Sequence, residues 1–289
     1  MASQDTFERY RSLLFSIAYK MTGSIAESDH ILDQTLARWL PVDAKLVEQP
    51  RLYLVKAVTN RSIIYQRDAE IERDQYPGTW LPEPLPVENE PSETQPGWQS
   101  FIGYLRLLDL LNARDRAIYL LRENLDLGYE EIAEIIGRPE AYCRKQWERA
   151  REIMVAGGDF SYFEPLRHAQ LMQAFRRAAA NGQFDRLIEC LHKTVTLCTD
   201  GGGKFAPVLQ PVHGRDAAWK YFQALYRKAA TGGNLRFSPV NGCPALLIHD
   251  LEHQLPETVL IFEASGRMVD TIYAIQNPEK LAHLRHLCV

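Results

Sequence analysis

The sequence lacks any long apolar run and any regular cysteine spacing. Among its 289 residues, 46% of them hydrophobic, no stretch approaches the roughly twenty apolar residues of a membrane-spanning helix. The N-terminal segment MASQDTFERYRS is polar and has no apolar centre of the kind found in signal peptides. The five cysteines are scattered and form no CxxC pair, which predicts buried thiols rather than disulfides or a zinc site. These absences favour a cytoplasmic globular protein.

A strongly basic segment is also missing. The formal net charge is −4, and residues 1–75 carry 10 basic and 11 acidic side chains, while residues 98–158 carry 9 and 10. Non-specific binding to nucleic acids scales with the number of phosphates neutralised, so this balance argues against a protein that coats DNA or RNA. A DNA-binding function would need a partner that supplies much of the affinity.

Catalytic patterns are scarce as well. The sequence shows no nucleophile triad, no metal-ligand spacing and no paired carboxylates, so we expect neither an enzyme nor a bound cofactor or metal. The segment DGGGK at 200–204 could cradle a phosphate, but it lacks P-loop spacing and a following Ser or Thr. The polar groups that could still line a pocket are His192, Asp200, His213, His249 and His253.

The most informative segment runs from Tyr129 to Arg151 and predicts two short helices. Ile132, Ile135 and Ile136 recur at helical spacing and predict one buried face. Gly137 is suited to end this helix, and Pro139 to begin the next. The inward stripe predicted for the second helix is Cys143, Trp147 and Ala150.

The outward side of the second helix carries donors suited to DNA. Guanidinium and amide groups can bind base edges and phosphates in a major groove, so the pattern favours a DNA-binding helix-turn-helix. Two amphipathic helices with a merely solvated basic face are the alternative. The candidate DNA contacts are Arg144, Lys145, Gln146, Arg149 and Arg151.

Helical patterns also dominate the N-terminal 75 residues. They predict a helix that breaks at Gly23, and a second one over 24–40 that begins with a capping box of Ser24 and Glu27. A third helix is predicted from Arg51 to about Asp74. These segments indicate an all-α domain at 1–75, and a second helical domain is expected at 98–156, where Asn112 is suited to cap a helix that begins at Ala113.

Between these domains lies a segment that cannot be helical. Residues 76–97 contain six prolines, which predict an extended and mostly solvated linker. The pair Trp80 and Leu81 is unusual there, because such an apolar pair is expected to pack against something; a harmless local contact is the alternative.

The chain beyond residue 159 has a different pattern. Helices are predicted near 165–180, 184–191 and 215–230, and strands near 194–199, 206–212, 235–240, 245–249, 258–262 and 268–275. Asn277 is expected to cap a short final helix. Helices followed by successive strands imply an α+β domain with a curved antiparallel sheet.

Two helical domains joined by a linker, the second a helix-turn-helix, resemble the extracytoplasmic-function sigma factors of bacterial RNA polymerase. Three short motifs, WLPEP at 80–84, DGGGK at 200–204 and NPEKL at 277–281, resemble those of the subgroup with a fused SnoaL-like C-terminal domain. The resemblance covers nearly the whole chain. It implies a multidomain protein, with two all-α sigma domains followed by an α+β SnoaL-like cone-shaped barrel at 159–289.

The resemblance also implies roles for particular residues. The N-terminal domain would bind core polymerase, through its β and β′ subunits, by Asp29, Asp33 and Gln34. The second helical domain would bind the −35 promoter element. The residues that would face the −10 promoter element are Lys56, Asn60, Arg61 and Arg67.

The resemblance also implies that the three motifs regulate the arrangement of the sigma domains. It leaves open whether the C-terminal domain binds a small ligand. The residues concerned are Trp80, Leu81, Pro82, Glu83, Pro84, Asp200, Gly201, Gly202, Gly203, Lys204, Asn277, Pro278, Glu279, Lys280 and Leu281.

One departure from the family pattern and two other functions remain open. The end of the third helix, where relatives are rich in arginine, reads RSIIYQRDAEIERD over 61–74 here. Its acidic residues cancel its basic ones, so weaker or altered promoter binding is expected. A ligand-sensing regulator would bind promoter DNA without polymerase. A SnoaL-like enzyme with a vestigial helical arm would turn over a small molecule.

Overall fold

The computed structural model describes residues 2–86, 102–157, 173, 188–203, 210–230, 233–250, 256–265 and 268–284. The chain divides into two compact units. The helical unit comprises Met1–Asp74 and Tyr104–Asp159, and the C-terminal unit comprises Gln75–Gly103 and Phe160–Val289. The two helical stretches predicted as separate domains therefore pack together, and part of the linker belongs with the C-terminal unit.

The helical unit consists of amphipathic helices around an apolar core. Phe7, Leu14 and Trp39 have no exposed surface, and Trp39 Nε1 donates to the Ser3 carbonyl at 2.6 Å. The helices are α1 Ala2–Thr22, α2 Ile25–Trp39, α3 Pro50–Asp74, α4 Ile102–Leu108, α5 Ala113–Glu123, α6 Tyr129–Ile136 and α7 Glu140–Gly157, with a 3₁₀ turn at Ala44–Leu46.

The ends of these helices follow the sequence closely. Asn112 Oδ1 accepts from the backbone N–H groups of Arg114 and Asp115, which confirms the predicted cap of α5. Gly137 ends α6 with φ of 68°, a left-handed conformation that glycine adopts without strain. Pro139 directly precedes α7 instead of opening it, and its carbonyl accepts from the N–H of Cys143.

The predicted capping box of α2 forms only in part. Ser24 Oγ accepts from the Glu27 N–H at 3.3 Å, as expected. The N–H of Ser24, which Glu27 was expected to bind, donates instead to Thr22 Oγ1 at 3.2 Å. A local hydroxyl thus replaces the carboxylate of the standard motif.

The C-terminal unit is built on one six-stranded sheet in the order β2-β1-β6-β5-β4-β3. Along the chain its elements are β1 Leu191–Asp200, β2 Val212–His213, α8 Arg215–Ala230, β3 Gly233–Val240, β4 Cys243–Asp250, β5 Pro256–Ser265, β6 Met268–Ile275 and α9 Pro278–Leu281. Its apolar core includes Leu246, Leu260 and Phe262 from the sheet, with Ala218 and Phe222 from α8.

The expectation of a purely antiparallel sheet was wrong at one pair of strands. β1 and β6 run parallel, with Leu197 opposite Ile272 and Asp200 opposite Ile275. A parallel pair needs a long crossover, and the chain from Asp200 to Met268 provides one. Of the predicted helix at 165–180 only residue 173 is described, and it is helical; of the predicted helix at 184–191 only 188–191 are described, of which 188 and 189 are helical and Leu191 already begins β1. Most of the predicted strand at 206–212 lies outside the described residues.

Candidate nucleic-acid interface and linker-binding site

Helix α7 turns its apolar stripe inward and most of its basic side chains outward. Cys143 and Ala150 are buried as predicted, and Met154, which the sequence analysis missed, continues the stripe one turn later. Trp147 was expected inside but is only half-buried, because its Nε1 donates to Glu123 Oε1 at 2.9 Å near the surface. Of the candidate DNA contacts, Gln146 is half-buried and the exposed ones are Arg144, Lys145, Arg149 and Arg151.

Aromatic rings lie beside two of these arginines. The guanidinium carbon of Arg144 is 4.3 Å from the centre of the Tyr129 ring, and that of Arg151 is 5.5 Å from the Trp147 ring. Arg144 Nη2 also pairs with Glu140 Oε1 at 2.8 Å. These are cation–π contacts, which restrict an otherwise flexible side chain. The sequence pattern indicates Tyr129 only as the start of α6, because its contact with Arg144 depends on how the two helices pack.

The residues expected to face the −10 element lie on α3, and two of them bind α6. Lys56 Nζ is 3.0 Å from Glu134 Oε1, and Asn60 Nδ2 donates to the Ile135 carbonyl at 3.2 Å. Arg67 is exposed. Helix α6, the first helix of the helix-turn-helix, therefore binds two side chains that were expected to contact DNA.

Arg61 connects the two candidate sets of the N-terminal segment. Its Nη1 donates to the side-chain carbonyl of Gln34, which was assigned to polymerase binding. Burial, and then the nearby charge of Arg38, lower the pKa of Arg61. Gln34 Nε2 also lies 2.5 Å from the ring nitrogen Nε2 of His30. The structure thus brings together Arg61, expected to face DNA, and Gln34, expected to face the polymerase.

The other polymerase-binding candidates lie on the open face of α2. Asp33 is exposed, and Asp29 Oδ1 is 3.8 Å from Arg11 Nη2 with about half of its side chain accessible. Surface pairs of this kind contribute little to stability. Both carboxylates reach the surface of the helical unit.

A partly buried charge cluster joins the two helical stretches. Asp109 Oδ1 accepts from Arg73 Nη1 at 2.9 Å and from Arg116 Nη2 at 2.6 Å. Arg116 Nη1 donates to the Met21 carbonyl and Arg73 Nη2 to the Thr22 carbonyl, at the C-terminal end of α1. Burial lowers the pKa of Arg116, and the Asp109 carboxylate opposes this effect. We call these three charged side chains the Arg73–Asp109–Arg116 cluster.

A second buried cluster surrounds Asp200 in the C-terminal unit. Its Oδ2 accepts from the Leu81 N–H at 2.8 Å and from Lys280 Nζ at 2.7 Å. Its Oδ1 accepts from the Tyr76 hydroxyl at 2.5 Å and the Gly202 N–H at 3.2 Å. The aspartate of DGGGK, the lysine of NPEKL and the leucine of WLPEP therefore meet at one carboxylate, which we call the Asp200 site.

Two aromatic rings cover the lysine of this site. Lys280 Nζ lies 4.2 Å from the centre of the Trp80 ring and 4.9 Å from that of Tyr76, and it donates to the Leu81 carbonyl at 2.5 Å. Burial, followed by the contact with Asp200, raises the pKa of Tyr76. The site gives every charged group in it a partner, as buried charges require.

Further contacts hold the rest of the described linker. The Leu85 N–H donates to Asn241 Oδ1 at 2.9 Å, the Asn241 N–H donates to the Leu85 carbonyl at 2.7 Å, and Pro84 O lies 2.7 Å from His283 Nε2. Leu81, Pro82 and Pro84 are buried, while Glu83 is half-buried. The prediction that Trp80 and Leu81 pack against another segment is confirmed. The expectation of a mostly solvated linker was wrong for residues 79–86, whereas Pro77 and Gly78 are exposed.

Two glycines of DGGGK allow this segment to approach the NPEKL motif closely. Gly202 and Gly203 have φ of 58° and 71°, and a Cβ on Gly202 would lie 2.6 Å from Asn277 Cγ. Asn277 caps α9 through the Glu279 N–H, as predicted, and donates from Nδ2 to the Tyr76 hydroxyl at 3.0 Å. In the same two motifs Gly201 is half-buried, Pro278 exposed and Leu281 buried, whereas Lys204 lies outside the described residues.

The candidate pocket groups have mostly structural surroundings. Among the described ones, His192 and His213 are exposed and bond to Thr194 and Thr196 respectively. His249 is buried on β4, where burial and then Arg236 lower its pKa. Asp200 is committed to the linker, and His253 lies outside the described part of the chain.

Two negative findings apply to the described residues. They contain no cluster of three or more His, Cys, Asp or Glu side chains that could hold a metal ion. Their helices also include none with the length and apolar character needed to cross a membrane.

Known proteins share both the helix-turn-helix and the overall arrangement of elements. Residues 103–154 match the family model for sigma-70 region 4. The chain is 28% identical over 243 residues to the ECF RNA polymerase sigma factor SigJ of Mycobacterium tuberculosis, covering 82% of this chain and 78% of that protein. It is 25% identical over 186 residues to the probable ECF RNA polymerase sigma factor SigI of Mycobacterium tuberculosis, covering 63% and 64%.

The fold agrees with this sequence similarity. The crystal structure of Mycobacterium tuberculosis SigJ, an extracytoplasmic function sigma factor, superposes with a TM-score of 0.71 at 23% identity, covering 95% of this chain and 96% of that one. The region 4 match falls on the helix-turn-helix described above, and the sheet unit follows it. The helix-turn-helix thus matches sigma-70 region 4, and the chain is similar over most of its length to extracytoplasmic-function sigma factors.

Proposed function

We propose that this chain binds core RNA polymerase through the β and β′ subunits, directs it to promoters and is regulated by its own C-terminal unit. The observation that carries the proposal is helix α7, which buries Cys143 and Ala150 and exposes Arg144 and Arg149 in a segment matched to sigma-70 region 4. Arginine suits this role because its planar fork binds guanine edges and phosphates.

In this proposal two surfaces of the N-terminal segment act together. Asp29, Asp33 and Gln34 on α2 bind the polymerase, and Lys56, Asn60, Arg61 and Arg67 on α3 bind the −10 element. The even balance of charge supports the idea that polymerase supplies much of the DNA affinity, since few phosphates could be neutralised by the chain alone. Function then resides in the cytoplasm, and the C-terminal unit regulates without catalysing a reaction.

The state described by the structure suits an inactive form. Lys56 and Asn60 are paired with Glu134 and the Ile135 carbonyl, and the Arg73–Asp109–Arg116 cluster links α3 to α5. DNA would have to displace α6 to reach these groups. Regions that bind two promoter elements must therefore separate before both can be engaged.

The Asp200 site provides a means to control that separation. It holds residues 76–86 against the C-terminal unit, and these 11 residues belong to the connection between α3 and α4. Their release would add up to roughly 36–40 Å of extended chain to that connection. We infer that an unidentified ligand or partner of the C-terminal unit shifts the balance between the bound and released linker.

Co-purification and run-off transcription test the proposal. The full-length chain should bind core RNA polymerase and support transcripts from selected genomic promoter fragments, and neither the core enzyme nor the chain alone should do so. Removing residues 160–289 should alter promoter output. Absence of polymerase binding by both forms would overturn the sigma function, and unchanged output after the truncation would overturn regulation by the C-terminal unit.

A further inference from the structure

The aromatic contacts around Arg144 assign a specificity role to a residue outside α7. Tyr129 begins α6, and its ring lies 4.3 Å from the guanidinium carbon of Arg144. Glu140, one turn before Arg144 on α7, holds the same guanidinium at 2.8 Å. Two elements of the helix-turn-helix therefore fix one side chain that still has 53% of its surface accessible.

The Tyr129 ring is itself held in place. Trp147 contacts it edge to face, with ring centres 6.1 Å apart and planes at 72°, and Trp147 is tied to Glu123 through its Nε1. Arg122 also lies over the Tyr129 ring at 5.2 Å, but its Nη1 donates to the Leu127 carbonyl at 2.8 Å. The ring thus forms a fixed surface, and Arg144 is the arginine over it that extends from the DNA-binding helix.

A fixed arginine can discriminate bases better than a mobile one. An exposed arginine has about 2 kcal/mol of rotamer entropy to lose when it adopts the bidentate geometry of a guanine contact. Contacts that hold it beforehand reduce that loss. Lys145 and Arg149 are exposed on the same helix and suit phosphate binding, which needs less exact geometry.

We propose that Tyr129 is a positioning residue that pre-orders Arg144 for selective contact with one base pair of the −35 element. The inference rests on the proposed sigma function and extends it, because it places a specificity determinant on α6. Glu140 is the second support, acting through its ion pair. Lys145 and Arg149 supply affinity with little selectivity.

The test uses holoenzyme assembled from core RNA polymerase and the full-length chain, transcribing templates whose −35 segment is randomised. Sequencing the transcribed templates gives the base preference at each position. Arg144→Ala should abolish preference at one base pair. Tyr129→Leu, which keeps an apolar side chain but removes the π face, should weaken preference there by about 2- to 5-fold, the range expected for an exposed cation–π contact.

Two variants separate positioning from mere support of the fold. Tyr129→Phe keeps the ring and should retain the wild-type preference. Tyr129→Leu in the Arg144→Ala background should cause no further loss at that base pair, since the two changes act through one contact. An unchanged preference in Tyr129→Leu, or an equal loss at every position, would overturn the inference. If wild-type holoenzyme shows no −35 preference at all, the proposed function itself fails.

Discussion

Lys280 Nζ and Asp200 Oδ2 form a 2.7 Å ion pair in which the lysine side chain is 9% exposed and the aspartate side chain 0%. Both charged groups are shielded from water. Each is therefore stabilised by the other and by the linker groups that complete its hydrogen bonds. A buried pair of this kind contributes little net stability, but the loss of one partner is costly. We therefore expect substitutions of either charged residue to destabilise the bound linker.

Removal of the lysine charge should release the linker. Lys280→Met leaves Asp200 buried without its cation, and we expect the free energy of unfolding of the C-terminal unit to fall by about 3–5 kcal/mol. Denaturant titration measures this loss, and limited proteolysis should show faster cleavage within 76–86. Lys193→Met, at an exposed position of β1, is the matched control and should change neither quantity. Equal behaviour of the two variants would contradict the role of the site.

The Arg73–Asp109–Arg116 cluster should stabilise the helical unit in a similar way. Asp109→Ala removes the carboxylate shared by two arginines, one of them fully buried, and should cost about 3–5 kcal/mol. Hydrogen exchange should then speed up at the end of α3 and in α5. Asp126→Asn is the control, because Asp126 also pairs with an arginine but its side chain is 94% exposed, and asparagine tolerates the left-handed φ of 51° at this position. We expect that control to lose at most about 1 kcal/mol.

The pair between Lys56 and Glu134 predicts a gain of DNA binding when it is broken. Glu134→Gln should free Lys56 and tighten the binding of the full-length chain to single-stranded DNA. An exposed pair contributes at most about 1 kcal/mol, so the gain should not exceed about fivefold. Fluorescence anisotropy with a labelled random-sequence oligonucleotide measures it.

Glu130→Gln provides the comparison for this experiment. Glu130 lies one turn earlier on α6, is exposed, and its substitution changes the net charge by the same amount. A general electrostatic effect would make both variants bind DNA equally well. If the ion pair with Glu134 keeps Lys56 from binding DNA, Glu134→Gln should tighten DNA binding more than Glu130→Gln does.

Glu263 predicts a pH dependence of stability. Burial raises its pKa to about 7, although the Gly103 N–H donates to both carboxylate oxygens at 2.9 and 3.1 Å, which opposes the shift. The Tyr273 hydrogen bond lowers this pKa too, whereas the charge of Asp270 raises it. Between pH 4.5 and about 7 the folded chain therefore holds a proton that the unfolded chain has lost.

The contribution of Glu263 to stability is accordingly complete below pH 4.5 and is lost as the pH rises through about 7. The total change is about 3 kcal/mol. Denaturant titrations of wild type and Glu263→Gln across this range should show the slope in wild type and its loss in the variant. Glu257→Gln, a half-buried position on the same strand, should keep the slope. A slope that persists in Glu263→Gln would contradict this assignment.

Local patterns predicted much of this molecule. The apolar spacing of Ile132, Ile135 and Ile136, the turn at Gly137 and the caps at Asn112 and Asn277 all depend on neighbours within a few residues, and the structure confirms them. Similarity to family motifs also identified three segments that are distant in the sequence and meet at Asp200.

Contacts between distant residues could not be predicted in this way. The sequence pattern gives Arg116 no special role in α5. It can be buried because Asp109 and the Met21 carbonyl accept hydrogen bonds from its guanidinium group. Likewise, the parallel pairing of β1 with β6 has no local sequence pattern, since either direction satisfies the same apolar alternation. Tyr129 was missed for the same reason, because its partner is on the next helix.

The pairing of β1 with β6 also has a consequence during synthesis. Asp200 ends a strand whose neighbour, Met268–Ile275, leaves the ribosome some 70 residues later, and Lys280 follows still later. At about 5–20 residues per second, the nascent chain spends roughly 4–16 seconds making these 80 residues. Throughout that interval the newly synthesised helical unit exists without the lysine that completes the Asp200 site for residues 76–86.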